Sequence, residues 1–280
     1  MPLIIVPTPI GNLEDMTFRG LRALREADVI ACEDTRHTLG LLNHFEIKKP
    51  LISCHEYNEA ERVETIMKWL ERGETVALVS DAGTPGLSDP GVVIIKAAIA
   101  NGYPYDVLPG ANALLPALLL AGMGMESFCF AGFLKGTASE KTARLRELQG
   151  VRDVLVFYVA PHHLLRDLEL MGSVLGDRKV ALVREISKIH QETIKGTLKT
   201  IVGSLPEEKI RGEFVCVVEG GAGEGEQADD SLWQAEAEQL AGSGESTKNV
   251  ANLLSIKYRI PKNRIKRHIL EQCVGEDKND

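Results

Sequence analysis

The side chains best suited to chemistry cluster between Glu74 and Gly91, in the stretch ETVALVSDAGTPGLSDPG. Two carboxylates, Asp81 and Asp89, stand in a loop with three glycines and two prolines. No Lys or Arg occurs between Arg72 and Lys96. A phosphate cradle needs amide donors in a positive field. This loop offers acids and bare backbone instead, and so suits ribose hydroxyls, an amino group or a cation. The competing explanation is an ordinary Gly/Pro-rich connection, although loops held by a rigid scaffold often carry function.

The elements that must hold this loop are legible on either side of it. Thr75 to Val79 is apolar and β-branched, as a strand buried on both faces should be. Asp89-Pro90 predicts an N-cap and first residue for a helix running through VVIIKAAIA to a stop at Asn101-Gly102. Open α/β sheets bind ligands beyond the carboxyl ends of their parallel strands.

Four further strands belong with it: Leu3–Val6, Asp28–Cys32, Leu51–Cys54 and Tyr105–Leu108. Helices are expected at Thr17–Glu26 and Asn58–Arg72. The turn after the first strand, Pro7-Thr8-Pro9-Ile10-Gly11-Asn12, has two prolines and one glycine where a dinucleotide fingerprint would have three glycines. The run Glu33-Asp34-Thr35-Arg36-His37-Thr38 is either a helix start with solvated charges or one wall of a site. A lone His55 at a strand end is more often structural than catalytic. Pro109-Gly110-Ala111-Asn112-Ala113 leads into LLPALLLAGMG, a helix apolar on nearly every side and expected to be buried.

A second α/β region follows, with strands at Ser127–Phe133, Asp153–Tyr158, Lys179–Val183, Thr193–Gly196 and Glu213–Val218. A helix is expected at Ser139–Gln149. Its less regular punctuation predicts a mixed sheet. The fold class is therefore α/β, with a parallel N-terminal domain over residues 1–115, a mixed-sheet domain over 116–219, and a third segment over 220–280.

That third segment changes charge abruptly. Glu219 to Glu245 contains no Lys or Arg, and suggests a flexible acidic linker followed by a short helix over Ser231–Leu240. Ser246 to Leu270 contains no acid; it carries Lys248, Lys257, Arg259, Lys262, Arg264, Lys266, Arg267 and His268 among helically spaced apolar residues. Helix starts at Ser246 and Pro261 predict a basic helical hairpin suited to nucleic acid. The chain as a whole is 280 residues with a formal charge of −8, which argues against a uniformly basic surface. Its five cysteines form no CxxC pair; the first four, beside apolar runs, are expected as buried hydrophobes of a reducing compartment. No zinc or other metal cluster is evident. The apolar run 111–125 is too short to span a bilayer and the N-terminus lacks a basic leader, so a cytoplasmic location is expected.

Taken together, VPTPIGNLEDMTFRGLRAL, CEDTRHT, ALVSDAGTPGLSDPG and LPGANA, in this order, resemble the ribosomal-RNA-modifying branch of the tetrapyrrole methylase superfamily. FYVAPHHL, VREISK and the basic C-terminal segment extend the resemblance over nearly the whole chain. It implies a homodimeric, S-adenosylmethionine-dependent enzyme with the cofactor in a cleft between two α/β domains. Its substrate would be a cytidine ribose 2′-hydroxyl in the decoding region of 16S rRNA. Cofactor contacts carry over onto Pro9; Asp81, Ala82, Gly83 and Thr84; Pro109, Gly110, Asn112 and Ala113; and Val159 and Ala160. Asn112 stands where Pro or Ser is usual. Pro161-His162-His163 stands where an Arg would close the triplet, a role open to Arg166.

Methyl transfer to a hydroxyl gains mostly from positioning and from a base. Lys188 is one candidate, if burial beside a cation keeps it neutral. Glu185 is its partner or rival, and Asp34 and Arg36 are candidates for holding the ribose or an adjoining phosphate. The alternatives are a methyltransferase acting on a tetrapyrrole or protein side chain, and a non-catalytic RNA-binding protein.

Overall fold

The computed structural model describes residues 3–221, 230–258, 260 and 262–276. The chain divides into two compact units, Met1–Leu145 with Val154–Glu219, and Arg146–Asp153 with Gly220–Asp280. Both sheets belong to the first.

In the N-terminal half of that unit, β1 (Leu3–Ile5), β2 (Val29–Cys32), β3 (Leu51–Ser53), β4 (Val76–Val79) and β5 (Tyr105–Val107) pair in parallel, in the order β3-β2-β4-β1-β5. Helices α1 (Phe18–Glu26), α2 (Thr35–His44), α3 (Glu59–Glu71), α4 (Val92–Ala100) and α5 (Leu114–Ala121) alternate with the strands. Because side chains alternate along a strand, Ala77 and Val79 of β4 join one apolar cluster, with Leu24 and Leu42. Val76 and Leu78 join the opposite one, with Ile66 and Ile94. Burial on both faces is what the unbroken apolar run required.

Two expectations are corrected here. α4 starts at Val92 with Gly91 at its cap, so Asp89 is not the cap. Instead Glu59 reaches over from α3, and its Oε1 accepts the backbone N–H groups of Gly91 (3.0 Å), Val93 (2.7 Å) and Ile94 (3.2 Å). A carboxylate at a helix N-terminus satisfies orphan donors and matches the dipole; no local sequence rule identifies one supplied by another helix. The other correction concerns α5, which is not buried all round. Leu114, Ala117, Leu118 and Ala121 pack on the second sheet, while Leu115 and Leu119 are 50% and 68% exposed.

The second sheet, β6 (Phe128–Phe133), β7 (Val154–Val159), β8 (Lys179–Arg184), β9 (Glu192–Thr197) and β10 (Phe214–Val218), is ordered β6-β7-β10-β8-β9. Only β6 and β7 are parallel, so the sheet is mixed, as expected. Helices α6 (Ala138–Leu148), α7 (Leu164–Leu175) and α8 (Leu198–Ser204) accompany it. A nearly buried ion pair, Lys141 Nζ to Asp167 Oδ1 at 2.6 Å, ties α6 to α7.

In the other unit, α9 (Asp230–Gly242), α10 (Thr247–Tyr258) and α11 (Lys262–Glu276) surround a core that includes Trp233, Val250, Leu254, Ile265 and Ile269. The hairpin expected from Ser246 onward is present, and Ser246 Oγ accepts the Asn249 N–H at 3.2 Å. Most of the linker, together with Arg259 and Pro261, lies outside the described residues.

Candidate active site

The loops that follow β1, β2, β4 and β5 meet at the carboxyl edge of the parallel sheet, and hydrogen bonds lock them together. Thr8 and Gly83 exchange both backbone bonds, each 2.9 Å. Thr8 Oγ1 donates to Ser80 O at 3.0 Å, and Thr84 Oγ1 donates to Ala111 O at 3.2 Å. Gly83 has φ of +84°, a conformation that glycine adopts without a Cβ penalty. Asn112 Oδ1 accepts the Leu115 N–H at 3.0 Å and so caps the start of α5.

Above these loops lies a cavity of about 390 Å³. One wall comes from the parallel sheet: Ile10, Glu33, Asp81 to Thr84, Asp89, Asn112 and Ala113. The other comes from the mixed sheet: Phe133, Tyr158 to Pro161, Ile186, and Glu213 to Val215. Four of the lining residues are acids (Glu33, Asp81, Asp89 and Glu213), and none is Lys or Arg.

The acids raise one another. Burial, then the charges of Glu33, Asp81 and Glu213, push the Asp89 carboxyl up to about 7. Burial and then Asp81 also lift Glu33 above its ordinary value. Burial first, then Asp89, moves the Tyr158 hydroxyl to about 12. Although Glu213 is paired with Lys188, the crowded carboxylates leave an excess of negative charge that a cation would relieve. Among the described residues, no three His, Cys, Asp or Glu side chains converge closely enough to hold a metal ion.

Asp89 gives a pH-dependent stability. Its folded pKa lies above the unfolded value, so its contribution is fully present below about pH 4 and is lost as pH rises through 7. Asp89→Asn should therefore leave the ligand-free protein unchanged in stability near pH 4. The gain should grow between pH 4 and 7 and level off above, at about 1–2 kcal/mol after allowance for solvent around a half-buried group. Denaturant melts of both proteins across that range measure it. An equal gain at pH 4 and pH 8 would contradict the assignment.

Of the residues expected to contact the cofactor, Asp81, Ala82, Gly83, Thr84, Asn112, Ala113, Val159 and Ala160 line the cavity. Pro9, Pro109 and Gly110 are not among its lining residues. A Cβ on Gly110 would lie 2.6 Å from Pro7 Cβ, so this glycine lets the first and last loops touch. Asp81 Oδ1 accepts the Asp34 N–H at 3.0 Å, and Asp34 Oδ1 accepts the Arg36 N–H at 2.8 Å, capping α2. The polar run at Glu33–Thr38 is thus both a helix start and, through Glu33, part of the wall. The Arg36 side chain is exposed.

Lys188 differs from its expected state. It sits between two carboxylates, with Nζ 2.9 Å from Glu185 Oε1 and 3.0 Å from Glu213 Oε2. Burial opposes its charge, but the bonds to Glu185 and Glu213 outweigh that and raise its pKa above the ordinary lysine value. No cation keeps it neutral, so it is a fixed ammonium and not a ready base. Glu185 and Ser187 hold left-handed backbone, at φ of 53° and 67°. The turn leans on the first loop: Ser187 Oγ donates to Asp15 Oδ2, and a Cβ on Gly11 would strike Lys188 Cγ at 2.4 Å. Sequence reasoning counted Asp89 both among the acids of the ligand loop and as the helix cap, and only the first holds; Glu213, at the start of a strand with no local signal, it missed.

The chain belongs to the tetrapyrrole (corrin/porphyrin) methylase family, whose model matches residues 2–202. Among individual proteins it is 41% identical, over 94% of this chain and 92% of the relative, to ribosomal RNA small subunit methyltransferase I of Bacillus subtilis strain 168. The protein of that name from Halalkalibacterium halodurans is 44% identical over 83% of this chain and 80% of its own. Of solved structures, uroporphyrin-III C-methyltransferase from Thermus thermophilus complexed with S-adenosyl homocysteine superposes with a TM-score of 0.56. It is 18% identical and covers 78% of this chain and 97% of its own, a likeness of fold.

Proposed function

We propose that the chain methylates the 2′-hydroxyl of a cytidine ribose in the decoding region of 16S rRNA, using S-adenosylmethionine. The observation that carries the reading is the glycine-floored cavity walled by four acids and no cation. It fits a positively charged ligand with ribose hydroxyls and disfavours a phosphorylated one. The relatives named for small-subunit ribosomal RNA support the choice of substrate. When bound, the cofactor supplies a methyl group activated on a sulfonium cation.

The chain's own residues do the rest. Residues 1–115 present the Asp81–Thr84 and Pro109–Ala113 loops, and residues 116–219 close over them with Val159 and Ala160. Asp89 is the cavity group poised to exchange a proton near neutral pH. A cation bound there would keep it ionised, able to take the proton of a ribose hydroxyl as that oxygen gains the methyl group and the methyl–sulfur bond breaks. Lys188, held by Glu185 and Glu213, stays charged and orients the substrate. Arg36 is free to meet a phosphate beside the target ribose, with Asp34 fixing the loop from which it projects.

Residues 220–280 provide the RNA contact: Lys248, Lys262 and Lys266 belong to a segment, Ser246–Leu270, without an acid. The bare α5 face (Leu115, Leu119) and edge strand β5 (Tyr105 43% and Val107 48% exposed) support a homodimer. A substrate in ribosomal RNA supports the cytoplasmic location expected from the sequence.

A mass-spectrometric map of small-subunit rRNA from cells with and without the protein tests this directly. One cytidine should lose its ribose methyl in the absence of the protein; an unchanged map refutes the substrate. Truncation after Glu219 should leave cofactor affinity intact and weaken RNA binding about tenfold at low salt, by loss of phosphate contacts. Undiminished turnover of a small substrate by the truncated chain would point to a tetrapyrrole or side-chain methylase instead.

A further inference from the structure

Glu59 does not line the cavity, yet it bears on which carboxylate does. It is 6% exposed, and one of its oxygens accepts three N–H groups at the start of α4. Asp89, two residues before the cap, is therefore released from the post that an Asp-Pro pair ordinarily fills. We propose that Glu59 is a positioning residue: by capping α4 it leaves Asp89 to face the cavity, and without it Asp89 turns back to cap the helix.

Two features constrain the loop that carries Asp89. Gly86 N–H closes it on Pro90 O at 3.0 Å, and Ser88 is held at φ of +69°, a conformation costly for a non-glycine residue. The two places open to Asp89 differ in charge. In the cavity it is opposed by Glu33, Asp81 and Glu213, with Tyr158 beside it and the Lys188 ammonium engaged on Glu213. At the helix N-terminus, amide donors and the dipole favour its ionised form. Uncapping α4 leaves donors that a carboxylate two residues away is able to satisfy.

The consequence for methyl transfer rests on the cofactor reading above, but the primary test needs no cofactor. Carbon-13 NMR of the full chain, with the Asp89 signal assigned by its absence in Asp89→Asn, follows this carboxyl through a pH titration. In the native protein it should titrate near 7. In Glu59→Ala it should fall below the ordinary carboxylate value of about 4. In Glu59→Gln, which keeps an oxygen of the same reach but no charge, it should fall part of the way. Titration that stays near 7 in both variants overturns the proposal. If Glu59→Ala does not fold, the same result in Glu59→Gln alone overturns it.

Calorimetry with S-adenosyl homocysteine adds a functional arm. Glu59→Ala and Asp89→Asn should weaken binding by a similar several-fold factor, and the double variant by no more than either. Multiplying effects would mean the two residues act independently, against the proposal. Absence of binding to the native protein would refute the cofactor reading and leave the NMR result to decide the role of Glu59.

Discussion

Asp81→Ala should bring S-adenosylmethionine binding below detection, a loss of at least about 100-fold by titration calorimetry, while the protein stays folded. Asp81 contributes in two ways. It lines the cavity and adds an acid to it, and its Oδ1 accepts the N–H of Asp34, which fixes the start of α2 against the pocket loop. Alanine removes both. The Asp34 N–H is exposed, so water replaces its acceptor and the cost to stability stays below about 1 kcal/mol. Asp81→Asn keeps an oxygen for that N–H and loses only the charge, so it should retain measurable affinity, reduced about tenfold. Native affinity in the alanine variant would move the cofactor site away from this loop.

The charge pattern behind that prediction was visible in the amino-acid sequence, and so were the strands. Short apolar or β-branched runs located the ten strands of the described residues, most clearly β2, β4, β7, β8 and β10, where burial on both faces leaves little freedom in residue choice. Helices α7 and α8 gave no comparable signal. α7 carries Gly172 in its third turn, and α8 is only seven residues long, with its Thr197–Thr200 capping box embedded in a strand end. The site was half legible. Loops with Asp81 and Asn112 announce themselves by composition, whereas Glu213 becomes a wall residue only when β10 pairs between β7 and β8. Asp89 shows the limit of local rules most clearly. The sequence Asp-Pro before a helix favours a cap, and a carboxylate 32 residues from Gly91 took that place. Lys188 was partly legible: its chain neighbour Glu185 is its ion-pair partner, as the local sequence suggests, but the second carboxylate that holds its charge is Glu213, 25 residues on.

Gly110→Ala should damage both stability and function, since this glycine is where the first and last pocket loops touch. β1 and β5 are neighbours, with Ile5 opposite Val107, so their following loops run side by side. An added Cβ would sit 2.6 Å from Pro7 Cβ and 2.9 Å from Pro7 Cγ, and a proline ring has no rotamer with which to move aside. The loops must part. Overpacking of this kind costs about 1–3 kcal/mol, a fall of several degrees in melting temperature. The displacement then reaches Ala111 O, which holds Thr84 Oγ1, and Asn112, which lines the cavity. Cofactor affinity should drop at least about tenfold in the protein that remains folded. Gly203→Ala provides the control, because a Cβ in that part of α8 meets nothing within 4 Å and helix propensity favours alanine. A Gly110→Ala protein that melts and binds like the native one would show that the pocket tolerates separation of its two outer loops, and the cofactor contacts would then rest on the β4 loop alone.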